Sequence, residues 1–291
     1  MVDSIVAQSF TDWELIAVDD GSSDESGAIL DKYASNDARI RVIHKQNGGV
    51  ASARQVGIEN ATGVYTIHAD ADDWVEPDML EAMHNKAVSE GSDIVICDYY
   101  NDIASHQSRY IKQTPESTES ADVLKSLYFK NLMGSLWNKL IKKSVYDKTK
   151  TSFINGIDYC EDLLALTKML TNANTKIAYL PQAYYHYVVN QSSLTTRVSH
   201  KGLNSMKRFH SEAVKILPSD GEFIDIPQSF ALSEFIVLFT NKLYSNSSEL
   251  QNKYAEIEDF VKTKHYGLRW RFGFQCIKHG FIPMAHKLIK F

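Results

Sequence analysis

The chain has 291 residues, 44% hydrophobic and 11% aromatic, enough for one large domain with a sizeable core or for a domain with a smaller appendage. A formal net charge of −5 at pH 7 argues against a general nucleic-acid binder. Cys97, Cys160 and Cys276 are widely spaced and form no CxxC pair, so they fit a reducing compartment and neither a disulfide framework nor a zinc site.

In chain order, MVDSIVAQSF lacks the basic start and apolar stretch of a signal peptide. ELIAVDD (14–20) is a short apolar run ending in acids and predicts a buried strand. Ser22 followed by Glu25 has the capping-box spacing, and Ile29, Leu30 and Tyr33 continue at helical spacing. RIRVIHK (39–45) predicts the next strand, and NGGVASARQVGIENATG a glycine turn with a helix ending before Gly63. VYTIHAD (64–70) predicts another strand, and PDMLEAMHNKAVSEG a helix with Pro77 at a first position and Gly91 as its stop. DIVICDYY (93–100) predicts a further strand. Strands alternating with helices imply βαβ crossovers and a parallel sheet covered on both faces, with ligands bound at the carboxyl ends of the strands. Asp19–Asp20 and Asp70–Asp72–Asp73 both sit at such ends and so face one crevice.

Residues 101–120 turn polar and read as a long loop or an edge hairpin. ADVLKSLYFK and SLWNKLIKKSVYDK are helical or mixed. NGIDYCEDLLALTKML opens a helix with an apolar stripe of Leu163, Leu164, Leu166, Met169 and Leu170, and Asp158 and Glu161 have its N-cap and N3 spacing. KIAYLPQAYYHYVV predicts a strand interrupted by Pro181, and beyond residue 200 the pattern is helical, broken at 217–227. No apolar run approaches the roughly 18 residues that span a bilayer, so the expected setting is cytoplasmic. From Phe260 to Phe291 there is no acid, while Lys262, Lys264, Arg269, Arg271, Lys278, Lys287 and Lys290 interleave with aromatics. Such a tail can lie peripherally on the inner face of an anionic membrane; it also suits a C-terminal helix pair packed on the core with its charges in solvent. The expected organisation is residues 1–200 as one domain, with a nucleotide half 1–100 and an acceptor half 101–200, followed by a helical region 201–291.

Asp70, Asp72 and Asp73 repel one another, more so when buried, and call for a positive partner. Mg²⁺ or Mn²⁺ takes such hard oxygen ligands and completes its shell with substrate phosphates. A nucleotide diphosphate therefore satisfies both clusters, its base or ribose lying near Asp19 and Asp20. Each group also has a plainer reading. Asp19 and Asp20 suit a turn, Asp70, Asp72 and Asp73 a turn before Pro77, and Glu161 and Asp162 the first turn of any helix. Arg54 reads equally as a solvated helix residue, and Trp137, Tyr184, Tyr185 and Tyr187 as core.

VDDGSSDES, NGGVASARQVGI, HADADDWVEPDML, WNKLIKKSVY and CEDLL, in that order, resemble the motifs of the family-2 inverting glycosyltransferases of GT-A fold, over roughly residues 5–195. The resemblance implies an α/β, GT-A-like, mostly parallel sheet flanked by helices, with a C-terminal helical extension. It implies transfer of a sugar from a nucleotide diphosphate, usually UDP, to an acceptor hydroxyl of a saccharide or lipid-linked oligosaccharide, as in cell-surface polysaccharide synthesis. On this resemblance Asp20 contacts the base, Asp19 supports its loop, and Arg54 approaches the nucleotide. Asp70 and Asp72 match the DxD, with Asp72 and Asp73 touching the Mn²⁺ or Mg²⁺. Asp162 matches the general base, left free while Glu161 supports the helix start.

Several positions depart from the family pattern. Members begin with a strand of the type VSVIIPVYN before the helix that VDSIVAQSF matches; without it, two neighbouring strands have unpaired edges and the pocket one wall fewer. That departure supports an alternative, a non-catalytic nucleotide-binding or scaffolding remnant. Gln55 replaces Asn, and Val188 a basic residue. YGLRWRF resembles the QxxRW of processive polymerases with Tyr266 in place of Gln, which favours a distributive enzyme. A DxD phosphohydrolase wants an aspartyl nucleophile followed by Thr or Val, which DADDW lacks.

Overall fold

The computed structural model of the chain describes residues 1–103, 107–129, 132–171, 174–189, 198–264 and 266–289. The chain divides into two units, Met1–Gln191 and Ser192–Phe291. The first unit opens with α1 (Val2–Val6), β1 (Leu15–Asp19), α2 (Ser26–Asn36), β2 (Ile40–His44) and α3 (Val50–Asn60). β3 (Tyr65–Thr66), β4 (Trp74–Val75) and α4 (Met79–Glu90) follow. β1 and β2 pair in parallel, Leu15 opposite Ile40 and Asp19 opposite His44, with α2 as their crossover. The capping box does not form. Asp19 takes the Ser22 N–H at 2.9 Å and Asp24 the Ser26 N–H at 3.0 Å, so α2 starts only at Ser26. Pro77 likewise stands ahead of its helix, which runs from Met79 and stops at Gly91 in the left-handed conformation (φ 62°).

The expected strand over 64–70 shortens to β3, and Asp70, Asp72 and Asp73 lie on irregular backbone between β3 and β4. The rest of the unit is β5 (Ile94–Ile103), β6 (Gln107–Ile111), α5 (Ser120–Phe129), β7 (Lys139–Lys142), α6 (Lys143–Lys148), α7 (Glu161–Leu170) and β8 (Ile177–Val188). The second sheet has the order β3-β7-β5-β8-β4, with β6 paired to β5. β5 and β8 are parallel; the other pairings in this sheet are antiparallel. The polar stretch after residue 100 is thus the hairpin of the two alternatives, since a return this short can only be antiparallel. β8 continues through Pro181 because the register with β5 shifts between Cys97 and Asp98, a bulge that frees the proline from the ladder.

The core of this α/β unit alternates along β5 (Val95, Cys97, Tyr99) and recurs every fourth residue along α4 (Met79, Met83, Ala87). β1 ends the first sheet and β3 the second, and no strand among the described residues joins them. A cavity of about 770 Å³ is lined by both, through Ile16, Val18, Tyr65 and Thr66, and reaches Arg54 and Asp70.

The second unit is helical: α8 (His200–Ile216), a short turn at Gly221–Phe223, α9 (Ile226–Thr240), α10 (Ser247–Thr263), α11 (Leu268–Lys278) and α12 (Ile282–Leu288). Ser199 and Asn246 cap α8 and α10 through their side chains. Phe235 and Phe239 of α9 pack with Leu250, Tyr254, Phe274 and Ile277. The stretch Gly221–Thr240 has the length and composition to cross a membrane, with mean hydropathy 1.3 and 33% of it buried. Glu222, Asp225 and Glu234 hide it from a search for unbroken apolar runs. Lys290 and Phe291, counted in the basic tail, lie outside the described residues.

Candidate active site

The end of β1 is tied to the glycine turn before α3. Asp20 accepts the Gly48 N–H at 2.9 Å and the Gly49 N–H at 2.8 Å, and pairs with Lys45. Burial works against its charge, but these donors outweigh it and lower its pKa. Asp19 takes the Ser22 N–H and lies 2.8 Å from His44 Nδ1, and these bonds, Ser22 foremost, pull it down to about 2. Gly21 holds φ 77° with its Cβ position 2.9 Å from Asn47 N, so the turn closes only around glycine.

Asp158 does not cap α7. Its carboxylate lies at the start of α3, where it accepts the Ala51 N–H at 3.4 Å and occupies the space a side chain at Gly49 would need. The N-cap of α7 is Cys160, held in the left-handed conformation (φ 63°), a strain of roughly 1–2 kcal/mol for a residue with a Cβ. The turn at Cys160 aims both acids that follow it at Arg54.

Arg54 gathers the carboxylates. From α3 its Nη2 donates to Asp70 at 3.3 Å and its Nε to Glu161 at 3.3 Å, while Asp162 Oδ1 stands 3.1 Å from Nε as an ion-pair contact without hydrogen-bond alignment. The positive partner that the acids call for is, within the chain itself, this guanidinium. Glu161 accepts its own backbone N–H at the helix start as well as facing Arg54, and Asp162 is not free. Asp162 is 8% exposed, and its Oδ2 accepts the Leu136 N–H at 3.0 Å. Burial pushes Glu161 up to about 7, helped by repulsion from Asp162 and opposed by Arg54. Burial raises Asp162 too, against the pull of Arg54 and Leu136.

Beneath the loop that carries Leu136 lies Lys139, 1% exposed. Its Nζ donates to Met133 O, Ser135 O and Asn138 Oδ1, each at 2.7 Å, and burial lowers it to about 7. Gly134 lets the same loop approach Leu163 of α7, where a Cβ would stand 3.2 Å from Leu163 Cδ1.

The Asp70–Asp73 segment is fixed to β8. Tyr185 OH accepts the Asp70 N–H at 3.1 Å and donates to Asp73 at 2.7 Å, and Val188 N–H donates to the other Asp73 oxygen at 2.8 Å. Asp73 is thus a buried clamp with both oxygens engaged, pushed by burial up to about 6. Asp72 is exposed and has no side-chain partner among the described residues. Among those residues no group of three or more His, Cys, Asp or Glu is arranged to hold a metal. Asp72 faces solvent, and the Asp70 side chain is 34% exposed beside Arg54. Such an open set suits a hard cation that brings phosphates with it. At the exit of the segment His186 is stacked between Trp74 (3.4 Å) and Tyr100 (4.5 Å), with Asp102 and Glu76 on its two nitrogens.

The structure thus brings Arg54, Asp70, Glu161 and Asp162 together, holds Asp19 and Asp20 in a separate loop network, and turns Asp73 away from Asp72. Tyr185, Lys139, Leu136 and His186 were not legible as site residues. The nearest signal was Lys139 at the head of the run KLIK (139–142), since a lysine in a buried strand needs dedicated acceptors.

The sequence profile described as Glycosyl transferase family 2 matches residues 1–150. EpsH of Bacillus subtilis (strain 168), whose name calls it a glycosyltransferase, is 31% identical over 245 residues, 82% of this chain and 70% of EpsH. TarS of S. aureus (residues 1–349, solved in complex with UDP-GlcNAc) superposes with a TM-score of 0.68 at 18% identity, covering 99% of this chain and 85% of TarS. The mannosyltransferase PcManGT of Pyrobaculum calidifontis, solved with GDP-Man and Mn²⁺, gives 0.56 at 14% identity, over 98% of this chain and 80% of its own. The fold is the GT-A architecture, with a C-terminal set of helices.

Proposed function

The chain belongs to glycosyl transferase family 2, and from that membership we propose that it is an inverting, metal-dependent transferase moving a sugar from a UDP-sugar to an acceptor hydroxyl in polysaccharide or lipid-linked oligosaccharide synthesis. The observation that carries this reading is Arg54, which ties Asp70 to Glu161 and Asp162 in one cluster. In this reading residues 1–100 take the nucleotide, 101–200 the acceptor, and 201–291 form the helical region, with 260–291 in peripheral contact with the inner face of the membrane. The setting is cytoplasmic.

Asp162 is the general base. Its Oδ2 is held by Leu136, and its Oδ1 is free to leave Arg54 for the acceptor hydroxyl, whose proton it takes as the hydroxyl attacks from the face opposite UDP. Burial, which raises its pKa, makes it a stronger base than an exposed carboxylate. Arg54 supports that charge, and Glu161 shares the guanidinium with it. Asp19 and Asp20 shape the wall for the base and ribose, and Asp70 and Asp72 are the residues that would hold Mn²⁺ or Mg²⁺. The cation supplies charge neutralisation on the departing diphosphate. Asp73 acts through Asp72, by fixing the backbone that presents it.

The test is paired. UDP at about 100 times its dissociation constant should stabilise the Mn²⁺-loaded chain by about 2.7 kcal/mol, seen as a rise in melting temperature. Asp162→Asn should keep that rise and lose UDP release from UDP-sugars by about 10²–10⁴-fold. No rise with any nucleoside diphosphate, or unchanged release in Asp162→Asn, overturns the reading.

A further inference from the structure

Among the described residues of the second unit the most exposed large apolar side chain is Leu268, at 83%, and Phe272 (65%) on α11, Phe281 (62%) at the N-cap of α12 and Met284 (51%) on α12 are exposed as well. On α11 they are ordered. Leu268, Phe272, Gln275 and His279 fall on one stripe at helical spacing, opposite the buried Phe274 and Ile277. Arg269 flanks this stripe on one side and Arg271 on the other. Neither arginine has a carboxylate partner among the described residues, nor does the exposed Lys287 of α12. Lys264 and Lys278 differ, being tied to Asp225 at 3.3 Å and to Glu258 at 2.6 Å. A helix merely presenting charge to water would not place a leucine and a phenylalanine at the centre of its outer face.

We infer that this outer face of α11 is a docking surface for an anionic lipid bilayer. Leu268 and Phe272 enter the acyl boundary while Arg269 and Arg271 reach back to the headgroups on long apolar stems. Phe281 at the N-cap of α12, with Met284 and Lys287 on the helix, offers the same chemistry, an apolar tip beside a cation without a carboxylate partner among the described residues. The absence of any acid from residue 260 onward removes the repulsion an anionic surface would otherwise meet. Charge also argues against a second copy as the occupant: a two-fold contact through this stripe would set Arg269 and Arg271 of both chains against each other. The inference deepens the peripheral-contact reading above and does not depend on the chemistry of the first unit.

The test uses the full chain in flotation with vesicles of phosphatidylcholine mixed with phosphatidylglycerol, and with phosphatidylcholine alone. The chain should float with the anionic vesicles and largely not with the neutral ones. Leu268→Ser with Phe272→Ser should abolish flotation, and Arg269→Gln with Arg271→Gln should lower partitioning about fivefold per cation removed. All four positions are outside the packed core, so melting temperature and the UDP-induced rise should match the parent. Failure of donor binding would then sink the transferase reading and leave this one standing. No flotation with anionic vesicles, or equal flotation of the serine variant, overturns the proposal. So does a dimer in vesicle-free sedimentation that the serine variant dissolves, which would assign the stripe to a second copy.

Discussion

Two pairs of adjacent acids stand next to helices in this chain and are held in opposite ways. Asp19 and Asp20 are surrounded by donors: Ser22 N–H and His44 for the first, Gly48 N–H, Gly49 N–H and Lys45 for the second. Their pKa values fall, Asp19 to about 2. Glu161 and Asp162 share one arginine, accept backbone N–H groups from Glu161 itself and from Leu136, and rise, Glu161 to about 7. The sequence pattern of the pairs is almost the same. Deeper burial together with fewer donors separates a carboxylate that keeps a basic lone pair available from one that builds a loop.

The strongest way to break this contrast is to remove the shared arginine. Arg54→Met leaves buried carboxylates without their counter-charge and should destabilise by about 3–5 kcal/mol at pH 8 in urea unfolding. Part of the loss should return near pH 5, below the raised pKa of about 7 of Glu161. A change below about 1 kcal/mol would mean that the acids are solvated and the contrast is false. Lys139→Met tests the backbone side of the same pair. It strips three acceptors of their donor and frees the loop that offers Leu136, for an expected loss of about 1–3 kcal/mol.

On the other pair, Asp20→Asn keeps an acceptor for one glycine N–H and loses the bond to Lys45. A fall of about 1–2 kcal/mol in the same measurement would fit its role as a loop clamp. The smallest effects are in pH dependence, and they differ in sign. Glu161 has a folded pKa raised above its ordinary value, so its contribution is full below about 4.5 and is lost as pH rises through about 7. Asp19 is depressed, so its contribution is present above about 3.8 and is lost as pH falls through about 2. Glu161→Gln should therefore flatten the stability profile between pH 5 and 8, and Asp19→Asn only its acid end. Parallel profiles in both variants would erase the distinction.

β1 and the first half of β5 were legible as short apolar runs ended by acids, and β2 because Ile40, Val42 and Ile43 stand out among charged residues. β3 was not. VYTIHAD reads as a strand, but past Thr66 the backbone turns to meet Tyr185 and then Val188, partners more than a hundred residues away that no local pattern reveals. The N-cap of α7 failed in a similar way. Asp158 has the spacing of a cap, yet the α3 N-terminus competes for it and wins. In the site, the acids could be singled out because their chemistry demands a counter-charge. Arg54 could be singled out only as a neighbour of the nucleotide, since its reach to α7 is a tertiary fact. Lys139 and Tyr185, which hold the acids from behind, carry no signature beyond a polar group in an apolar run.

Gly49 lies so close to Asp158 that any side chain there would overlap the carboxylate, and Arg54 reaches Glu161 across the same stretch of sequence. For recombination between related genes this is a linkage constraint. A crossover between positions 49 and 162 joins a turn from one parent to a loop selected against another parent's turn, and the mismatch falls on the acids of the site. Viable chimeras from a shuffled library should therefore place their junctions outside that interval, or inherit glycine, arginine and both partner acids as a block.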